Sequence, residues 1–302
     1  MRVTNQTMTD NAIQYMNDNL SRLNELQLRV SSGKNFQNSS DNPSGVSAAL
    51  SLRSTIKTNE TYINTIQNST DWMSATEYSL GQMIDVATRA KVLSEQGLSD
   101  TLSGKERSAA LGTEIDGLLG QAIQIGNANH QGNYIFSGFQ ILTKPFALNA
   151  SGNSVDSLDG FGNPLDTSGK LQREIGPNQT ITINVDGNAA FSSLFQALID
   201  VRNALNGNNT ANLQTAITSL NTSLDGVVQV RTSVGARQRQ LQTSADRMDK
   251  TQLQLKSLLS QKEDTNMAEA ISLMSNQETV YKTVLEVGQR AISALNLFDY
   301  LR

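Results

Sequence analysis

Apolar residues recur at alternating steps of three and four at both ends of this 302-residue chain. Such heptad spacing places side chains on one face of a helix that packs against another helix. The C-terminal pattern begins at Met267, continues almost to Arg302 and is broad enough for more than one partner helix. We therefore expect the two ends to complete their core by assembling with other chains. The expected interface residues are Ile13, Met16, Leu20, Leu23, Val30, Ile271, Met274, Tyr281, Leu285, Ile292, Leu295 and Phe298.

Two longer heptad rows occupy the middle of the chain and predict long helices. The row from Leu213 to Leu259 is unbroken, with Arg231, Gln238 and Gln252 as its polar members. Fifty helical residues would span about 75 Å at 1.5 Å per residue, which is a rod. The predicted helices are Thr4–Ser32, capped by Gly33 in the left-handed region, then Val46–Gly97, Ser103–Asn129, Ala189–Leu205, Leu213–Leu259 and Met267–Arg302.

In the centre of the chain, apolar residues alternate with polar ones at every second position instead of recurring at steps of three and four. Three of the four prolines lie in this stretch. Alternation with period two is typical of half-buried strands. We therefore interpret residues 133–187 as a small β-rich insertion in a helical body. The predicted strands are Tyr134–Gly138, Pro145–Leu148, Leu171–Gly176 and Thr180–Asp186.

These patterns predict a mainly α protein of long antiparallel helical rods, resembling a coiled-coil bundle, with terminal helices that pair as a coiled coil. The small β-rich insertion interrupts the rods. The predicted division has an N-terminal assembly helix (1–33), the first half of the rod domain (34–132), the outer insertion (133–187), the second half of the rod domain (188–262) and a C-terminal assembly helix (263–302).

Composition narrows the classes of function. The chain has 24 Lys and Arg against 28 Asp and Glu, so it lacks the basic surface of a nucleic-acid-binding protein. It has no cysteine, which excludes disulfides and thiol chemistry. No apolar run reaches the roughly 18 residues that a membrane span needs. The N-terminus lacks the apolar stretch of a cleaved secretory signal, which alone indicates the cytoplasm and leaves uncleaved export open.

The residues that could support catalysis or metal binding are few. His130 is the one histidine, so neither a multi-histidine metal site nor a triad with a second histidine can form. Asp156, Asp159 and Asp166 lie in a glycine-rich stretch, but their spacing does not match an EF-hand loop. No phosphate-binding glycine loop occurs. We therefore expect no enzyme activity, no cofactor and no metal.

The terminal helices are expected to be disordered or weakly helical in the monomer. Their apolar faces are too wide to be covered by one another. Segments of this kind fold when they bind a partner that covers the remaining apolar surface. We expect them to become ordered against other subunits.

Several motifs at the ends of the chain resemble bacterial flagellins and their relatives. The N-terminal motifs are Leu26–Lys34 and Asn38–Gly45. The C-terminal motifs are Asp264–Ile271, Glu278–Tyr281 and Leu297–Arg302. Three further segments resemble the hook–filament junction members of that family, namely Met1–Gln6, Gly132–Gly138 and Arg173–Gly187.

The resemblance implies a structural subunit of the bacterial flagellum. Its members form a layer of copies between the first hook-associated protein and the flagellin filament. They leave the cell unfolded through the flagellar type III export apparatus, without a cleaved signal, after a cytoplasmic chaperone has held the C-terminal segment. The resemblance also implies that the terminal helices form the inner core and that residues 133–187 face outward. It implies no nucleic-acid or membrane partner.

Three alternatives compete with the junction subunit. The first is a flagellin-type filament subunit, against which the segment Arg173–Gly187 argues. The second is a signalling coiled coil, which would be expected to carry a membrane span or a receptor domain. The third is an enzyme within the β-rich insertion.

Overall fold

The computed structural model describes residues 5–99, 104–159 and 161–300. It confirms the predicted mainly α fold, with a few short antiparallel strand pairs and with terminal helices that pack on each other. The α-helices are α1 (Asn5–Ser32), α2 (Pro43–Gly97), α3 (Gly104–Glu106), α4 (Thr113–Gly126), α5 (Gly187–Asn206), α6 (Thr210–Glu263) and α7 (Met267–Tyr300).

The ends of α1 and the start of α2 follow local sequence signals. Gly33 ends α1 with φ +70°, as its position after the last apolar residue predicts. Pro43 is the first residue of α2, so this helix starts three residues earlier than predicted. Proline is tolerated there because the first turn of a helix does not use its N–H groups. The side chain of Asn42 accepts a hydrogen bond from the Gly45 amide at 2.9 Å and caps the helix.

The predicted helix over Ser103–Asn129 is confirmed from Gly104 to Gly126, but it contains a π-helical segment and ends three residues earlier than predicted. A π-helical segment, Arg107–Gly112, separates α3 from α4, and α4 ends at Gly126. The next residue, Asn127, directs its side-chain amide to the backbone of Phe146, with hydrogen bonds of 2.8 and 2.9 Å. That exchange begins the loop that leads into the strands. Ser103 lies outside the described residues.

The strands form three antiparallel pairs and are shorter than predicted. The pairs are β1 (Asn129–His130) with β2 (Asn133–Tyr134), β3 (Ala147–Leu148) with β4 (Val155–Asp156), and β5 (Gln172–Gly176) with β6 (Gln179–Thr182). The predicted strand over Tyr134–Gly138 is wrong beyond Tyr134. Ile135, Phe136 and Ser137 are all buried, and Gly138 has φ +65°. Consecutive burial and a left-handed glycine do not fit an alternating ladder.

The predicted strand over Thr180–Asp186 ends at Thr182, because Asn184 replaces the backbone ladder with its side chain. Its amide accepts a hydrogen bond from the Leu171 N–H at 2.8 Å and donates one to the Gly169 carbonyl at 2.6 Å. Arg237 of α6 donates a hydrogen bond to the Asn184 carbonyl at 3.1 Å. These bonds hold the insertion against α6.

The chain forms two compact units, one comprising residues 59–250 and the other residues 1–58 with 251–302. We call them the central unit and the terminal unit. The central unit contains the main hydrophobic core, to which the insertion contributes Phe136, Phe146 and Ile183. Phe191 of α5 packs edge-on against Phe136 with ring centroids 4.7 Å apart. The insertion and the helices therefore share one core.

Polar residues within the heptad rows of the central unit have partners across the row. Asn59 is buried and donates a hydrogen bond to the Met248 carbonyl at 2.9 Å. Arg231 forms an ion pair with Glu77 at 2.6 Å. These pairs occupy seam positions that an apolar side chain would otherwise fill, and they fix the register of α2 against α6.

Candidate assembly surface

In the terminal unit, α1 and α7 pack as an antiparallel pair. The start of α7 lies beside the end of α1, since the Thr265 amide donates a hydrogen bond to the Gly33 carbonyl at 2.9 Å. Further along the pair, the side chain of Gln277 donates to the Asn19 side-chain oxygen at 2.9 Å. A polar pair within an apolar helix contact favours one register over its alternatives.

The predicted interface residues differ widely in burial. Leu23 is buried, with 8% of its surface exposed, whereas Ile13, Leu20 and Ile271 are 44%, 38% and 48% exposed. The half-buried members are Met16, Val30, Met274, Tyr281 and Leu285. Ile292, Leu295 and Phe298 lie in the last part of α7, where the structure describes the helix but not the side chains. The structure therefore brings the described seam residues to one helix pair, and their contact with a partner stays a prediction.

Further apolar residues of the same two helices face solvent. Leu273, Val280 and Val287, which belong to the broad C-terminal pattern, are 48%, 45% and 60% exposed. Tyr15 and Leu28 of α1, at 65% and 52%, were missed because they lie outside the strict heptad row. An apolar face this wide is typical of a surface that contacts other proteins.

A groove of about 400 Å³ runs between the two helices. Its lining is mostly apolar and consists of Ala12, Tyr15, Asn19, Thr283, Val284, Val287 and Gly288. Asn19 belongs both to this lining and to the hydrogen-bonded pair with Gln277. The pair that sets the helix register therefore also shapes the groove.

A polar joint connects the segment after α1 with the segment before α7. Lys34 and Asp264 form an isolated antiparallel bridge. Their side chains also form an ion pair at 2.6 Å. The Asn35 amide donates to the Glu263 carbonyl at 2.7 Å, and the Thr265 hydroxyl donates to the Asn35 side chain at 2.6 Å. The segment between α1 and α2 is thus bonded to the segment between α6 and α7.

The two acidic residues of the joint, Glu263 and Asp264, are each paired with a basic side chain. The carboxylate of Glu263 is 7% exposed and lies 2.5 Å from the guanidinium of Arg53 and 3.3 Å from the Lys34 ammonium. The hydrogen bond from Lys34, with help from the Ser260 hydroxyl, lowers the pKa of Asp264. The same bond to Asp264 raises the pKa of Lys34. Both shifts favour the charged pair.

The residues considered for catalysis or metal binding are not assembled into a site. His130 is half-buried and its ring meets that of Trp72 edge-on, with centroids 6.2 Å apart. Asp159 closes a turn by accepting hydrogen bonds from the Phe161 and Asn163 amides. Within the described ranges, no group of three His, Cys, Asp or Glu side chains could hold a metal ion. In the same ranges, every helix is too short or too polar to cross a membrane.

Comparison with known proteins supports the resemblance seen in the motifs. Residues 3–140 match the family described as the bacterial flagellin N-terminal helical region. The flagellar hook-associated protein 3 of Escherichia coli (strain K12) is 27% identical over 263 residues, which cover 80% of this chain and 82% of that protein. The flagellar hook-associated protein 3 of Salmonella typhimurium (strain LT2) is 24% identical over 320 residues, covering 98% and 100%.

The fold is also found among solved structures. The crystal structure of Bacillus cereus FlgL matches with a TM-score of 0.59 and 22% identity, covering 70% of this chain and 99% of that one. At this identity the match concerns the fold alone. The comparisons confirm the resemblance seen in the motifs: residues 3–140 match the N-terminal helical region of bacterial flagellins, and the chain as a whole is similar to flagellar hook-associated protein 3.

Proposed function

We propose that this chain is a structural subunit of the bacterial flagellum that forms the junction layer between the hook and the flagellin filament. The observation that carries the proposal is the apolar face of α1 and α7, where Ile271, Tyr15 and Val287 stay 48%, 65% and 60% exposed. Exposed apolar surface of this extent is stabilised when neighbouring subunits cover it. The similarity to flagellar hook-associated proteins 3 supports the flagellum as the site of that assembly.

The partners that follow from this function are other copies of the chain in the layer, the first hook-associated protein on the hook side and flagellin on the filament side. A cytoplasmic export chaperone binds the C-terminal segment before secretion. The chain is exported without a cleaved signal and acts outside the cell, without catalysis. The interface residues are those of the two heptad seams, including Ile292, Leu295 and Phe298.

The parts of the chain divide this work. The terminal helices, 1–33 and 263–302, form the assembly core, and the rod halves, 34–132 and 188–262, form the body. The insertion, 133–187, faces outward. In the free subunit the terminal helices are weakly ordered, and they gain order when neighbours cover them. Hydrogen exchange on the dilute monomer tests this step, because strong protection of residues 270–290 would contradict it.

Imaging the hooks of cells that lack this chain tests the function. We expect hooks without filaments, with flagellin released into the medium, and we expect the native chain supplied from a plasmid to restore attachment. Filaments that stay attached without the chain would overturn the proposal. The alternative of a filament subunit makes a different prediction: the purified chain would extend filament seeds into long filaments by itself.

A further inference from the structure

A long groove runs between α5 and α6 on the surface of the central unit. Its middle part has a volume of about 760 Å³ and is continuous with two flanking parts of about 300 and 340 Å³, which share lining residues with it. Asp200 and Ser219 belong to the middle part and to one flank. Val230 and Ser233 belong to the middle part and to the other flank.

The lining of the groove repeats with the spacing of a helix contact. On α6 the lining residues follow steps of four and three from end to end, as Asn212, Ala216, Ser219, Ser223, Gly226, Val230, Ser233 and Arg237. On α5 they follow the same steps, as Ala189, Ser193, Gln196, Asp200 and Asn203. Five residues of the α6 row are small, namely Ala216, Ser219, Ser223, Gly226 and Ser233, and two heptad rows of this kind leave room for a third helix laid between them.

The small residues of the groove are not required by the subunit itself. Nothing in the chain lies within 4 Å of the position that a Cβ of Gly226 would occupy. A glycine inside a helix nevertheless costs about 1 kcal/mol relative to alanine. Ser223 is only 7% exposed, and its hydroxyl makes no hydrogen bond within the described residues. The neighbouring Thr222 instead bonds to the Thr218 carbonyl. The groove thus holds free space and a free hydroxyl.

A complementary row lies on the outer face of α2 in the same chain. Tyr78 and Val92 are two large apolar residues that stay 66% and 50% exposed there. They are two heptads apart, so they lie on one side of the helix. The full row is Asp71, Ala75, Tyr78, Gln82, Asp85, Arg89 and Val92. A surface and its complement on one chain generate a head-to-tail contact between copies.

The charges select one orientation for such a contact. On α2, Asp71 and Arg89 stand 18 residues apart, and in the groove Arg237 stands 18 residues from Ser219, beside which Asp200 lies. An antiparallel helix brings Asp71 to Arg237 and Arg89 to Asp200. A parallel helix would bring like charges together, which is unfavourable. Glu114 occupies only the Nε and Nη2 donors of Arg89, so Nη1 remains for a second carboxylate.

In the antiparallel register, residues of α2 face residues of compatible polarity along the whole groove. With Asp71 level with Arg237, Tyr78 comes level with Val230. Asp85 then comes level with Ser223, whose free hydroxyl can donate to a carboxylate. At the far end Val92 comes level with Ala216. We propose that the groove between α5 and α6 binds the exposed face of α2 from a second copy of this chain, antiparallel to α6.

This contact rests on the proposed junction function, because a layer places copies side by side. The chain has no native cysteine, so disulfide cross-linking can test it directly. Two single variants, Ala75→Cys and Ser233→Cys, are expressed together in cells that lack the native chain, and isolated flagella are oxidised. Neither variant alone can form this disulfide. We expect a cross-linked dimer on a non-reducing gel.

The matched control replaces Ser233→Cys with Ser219→Cys. Both positions are serines of the same groove row, and 14 residues correspond to about 21 Å along α6. A disulfide needs Cα atoms within about 7 Å, so Ala75→Cys with Ser219→Cys should give no dimer. A parallel helix, with Asp71 level with Ser219, would instead place Ala75 level with Ser223, about 15 Å from Ser233. Cross-linking of only the control pair, or of neither pair, overturns the proposal.

Filling the groove gives a second test. Gly226→Leu should leave the subunit folded, because its side chain enters open space, and should reduce the fraction of hooks with filaments by about tenfold or more through overpacking of the contact. Gly120→Leu is the control, since Gly120 also lies in a helix with nothing within 4 Å but outside the groove. Normal attachment with Gly226→Leu would contradict the proposal.

The outcomes separate this contact from the function on which it rests. If cells without the chain keep their filaments, the junction function fails. If they lose them but Gly226→Leu attaches normally, the groove contact alone fails. If Gly226→Leu blocks attachment yet leaves the Ala75–Ser233 cross-link unchanged, the groove binds a different protein and the proposal is wrong.

Discussion

The central and terminal units share the same heptad spacing, but the central unit buries its seam residues and the terminal unit leaves several of them exposed. In the central unit, Leu80, Leu220 and Leu241 are completely buried on facing rods. In the terminal unit, Leu20 and Ile271 occupy equivalent seam positions and remain 38% and 48% exposed. The difference lies in what surrounds each helix pair. α4, α5 and the insertion add to the core of the central unit, whereas in the described part of the terminal unit α1 packs mainly on α7.

The comparison teaches that a heptad pattern predicts a helix contact without saying which chain supplies the partner. The central unit finds its third layer within the chain, in the aromatic residues Phe136, Phe146 and Phe191. By sequence, α1 contains one aromatic residue, Tyr15, and α7 contains Tyr281, with Phe298 and Tyr300 close to its end. The pair of α1 and α7 therefore leaves apolar surface exposed that is available to other subunits.

The largest expected effect comes from a charge in the terminal seam. Leu285→Asp should abolish filament attachment, because a carboxylate cannot be buried without a partner. The central unit should keep its thermal unfolding midpoint, since its core lies elsewhere. Counting filaments on hooks by electron microscopy, together with circular dichroism of the purified variant, measures both quantities. Leu142→Asp, at a residue 79% exposed in the central unit, serves as the control and should attach normally.

A large-to-small substitution in the core of the central unit should instead lower the stability of that unit. Phe191 is fully buried and contacts three other phenylalanine rings. Phe191→Ala should lower the free energy of unfolding of the central unit by about 3–5 kcal/mol. Denaturant titration measures this change, and Phe139→Ala, at a ring 66% exposed, should cost far less. Equal losses in the two variants would show that the aromatic cluster is not the centre of that core.

The polar joint of the terminal unit should respond to loss of its buried carboxylate. Glu263→Ala removes the partner of Arg53 and one partner of Lys34, and should destabilise the joint by about 1–3 kcal/mol. Amide exchange of Asn35 and Thr265 reports on it locally. Glu269→Ala, at an exposed residue of α7, provides the control. Unchanged exchange in Glu263→Ala would mean that the backbone bonds alone hold the joint.

The smallest effect is a pH dependence of the same joint. The pKa of Asp264 is lowered by Lys34, so the stabilisation is present above the unfolded value of about 4 and is lost as pH falls through the folded pKa. The pKa of Lys34 is raised, so its contribution is present below about pH 10 and disappears at higher pH. The protection of the Thr265 amide, measured against its intrinsic exchange rate at each pH, should therefore fall in acid. Asp264→Asn should remove the acid transition.

The helices could be predicted because long apolar rows report directly on helix contacts. The predicted ends of helices and strands are wrong where a side chain makes the hydrogen bonds that a helix or a strand ladder would otherwise make. Asn127 and Asn184 redirect their amides to loop backbone, which ends α4 and β6 earlier than the apolar periods indicate. Gly138 and its left-handed φ turn a predicted strand into a turn. Such effects depend on a partner far away in sequence, so local pattern cannot reveal them.

The candidate site was predicted in part. The heptad seams identified Leu23, Met274 and Leu285 on one helix pair, and the motifs identified the resemblance to flagellins that the match of residues 3–140 supports. The exposed Tyr15 and the joint around Glu263 were not foreseen. Tyr15 lies beside the strict row. Glu263 acquires its two cations only when Lys34, after α1, and Arg53, in α2, both approach the end of α6.

The joint has a consequence for the order in which the molecule can form. Lys34 and Asp264 stand 230 residues apart, so their bond closes a very long loop of chain. Closing a long loop is costly in entropy unless folding of the intervening residues has already shortened it. The central unit contains most of those residues. The two chain ends should consequently meet last, after the central unit has folded, so their exposed apolar faces stay apart while the polypeptide is still being synthesised.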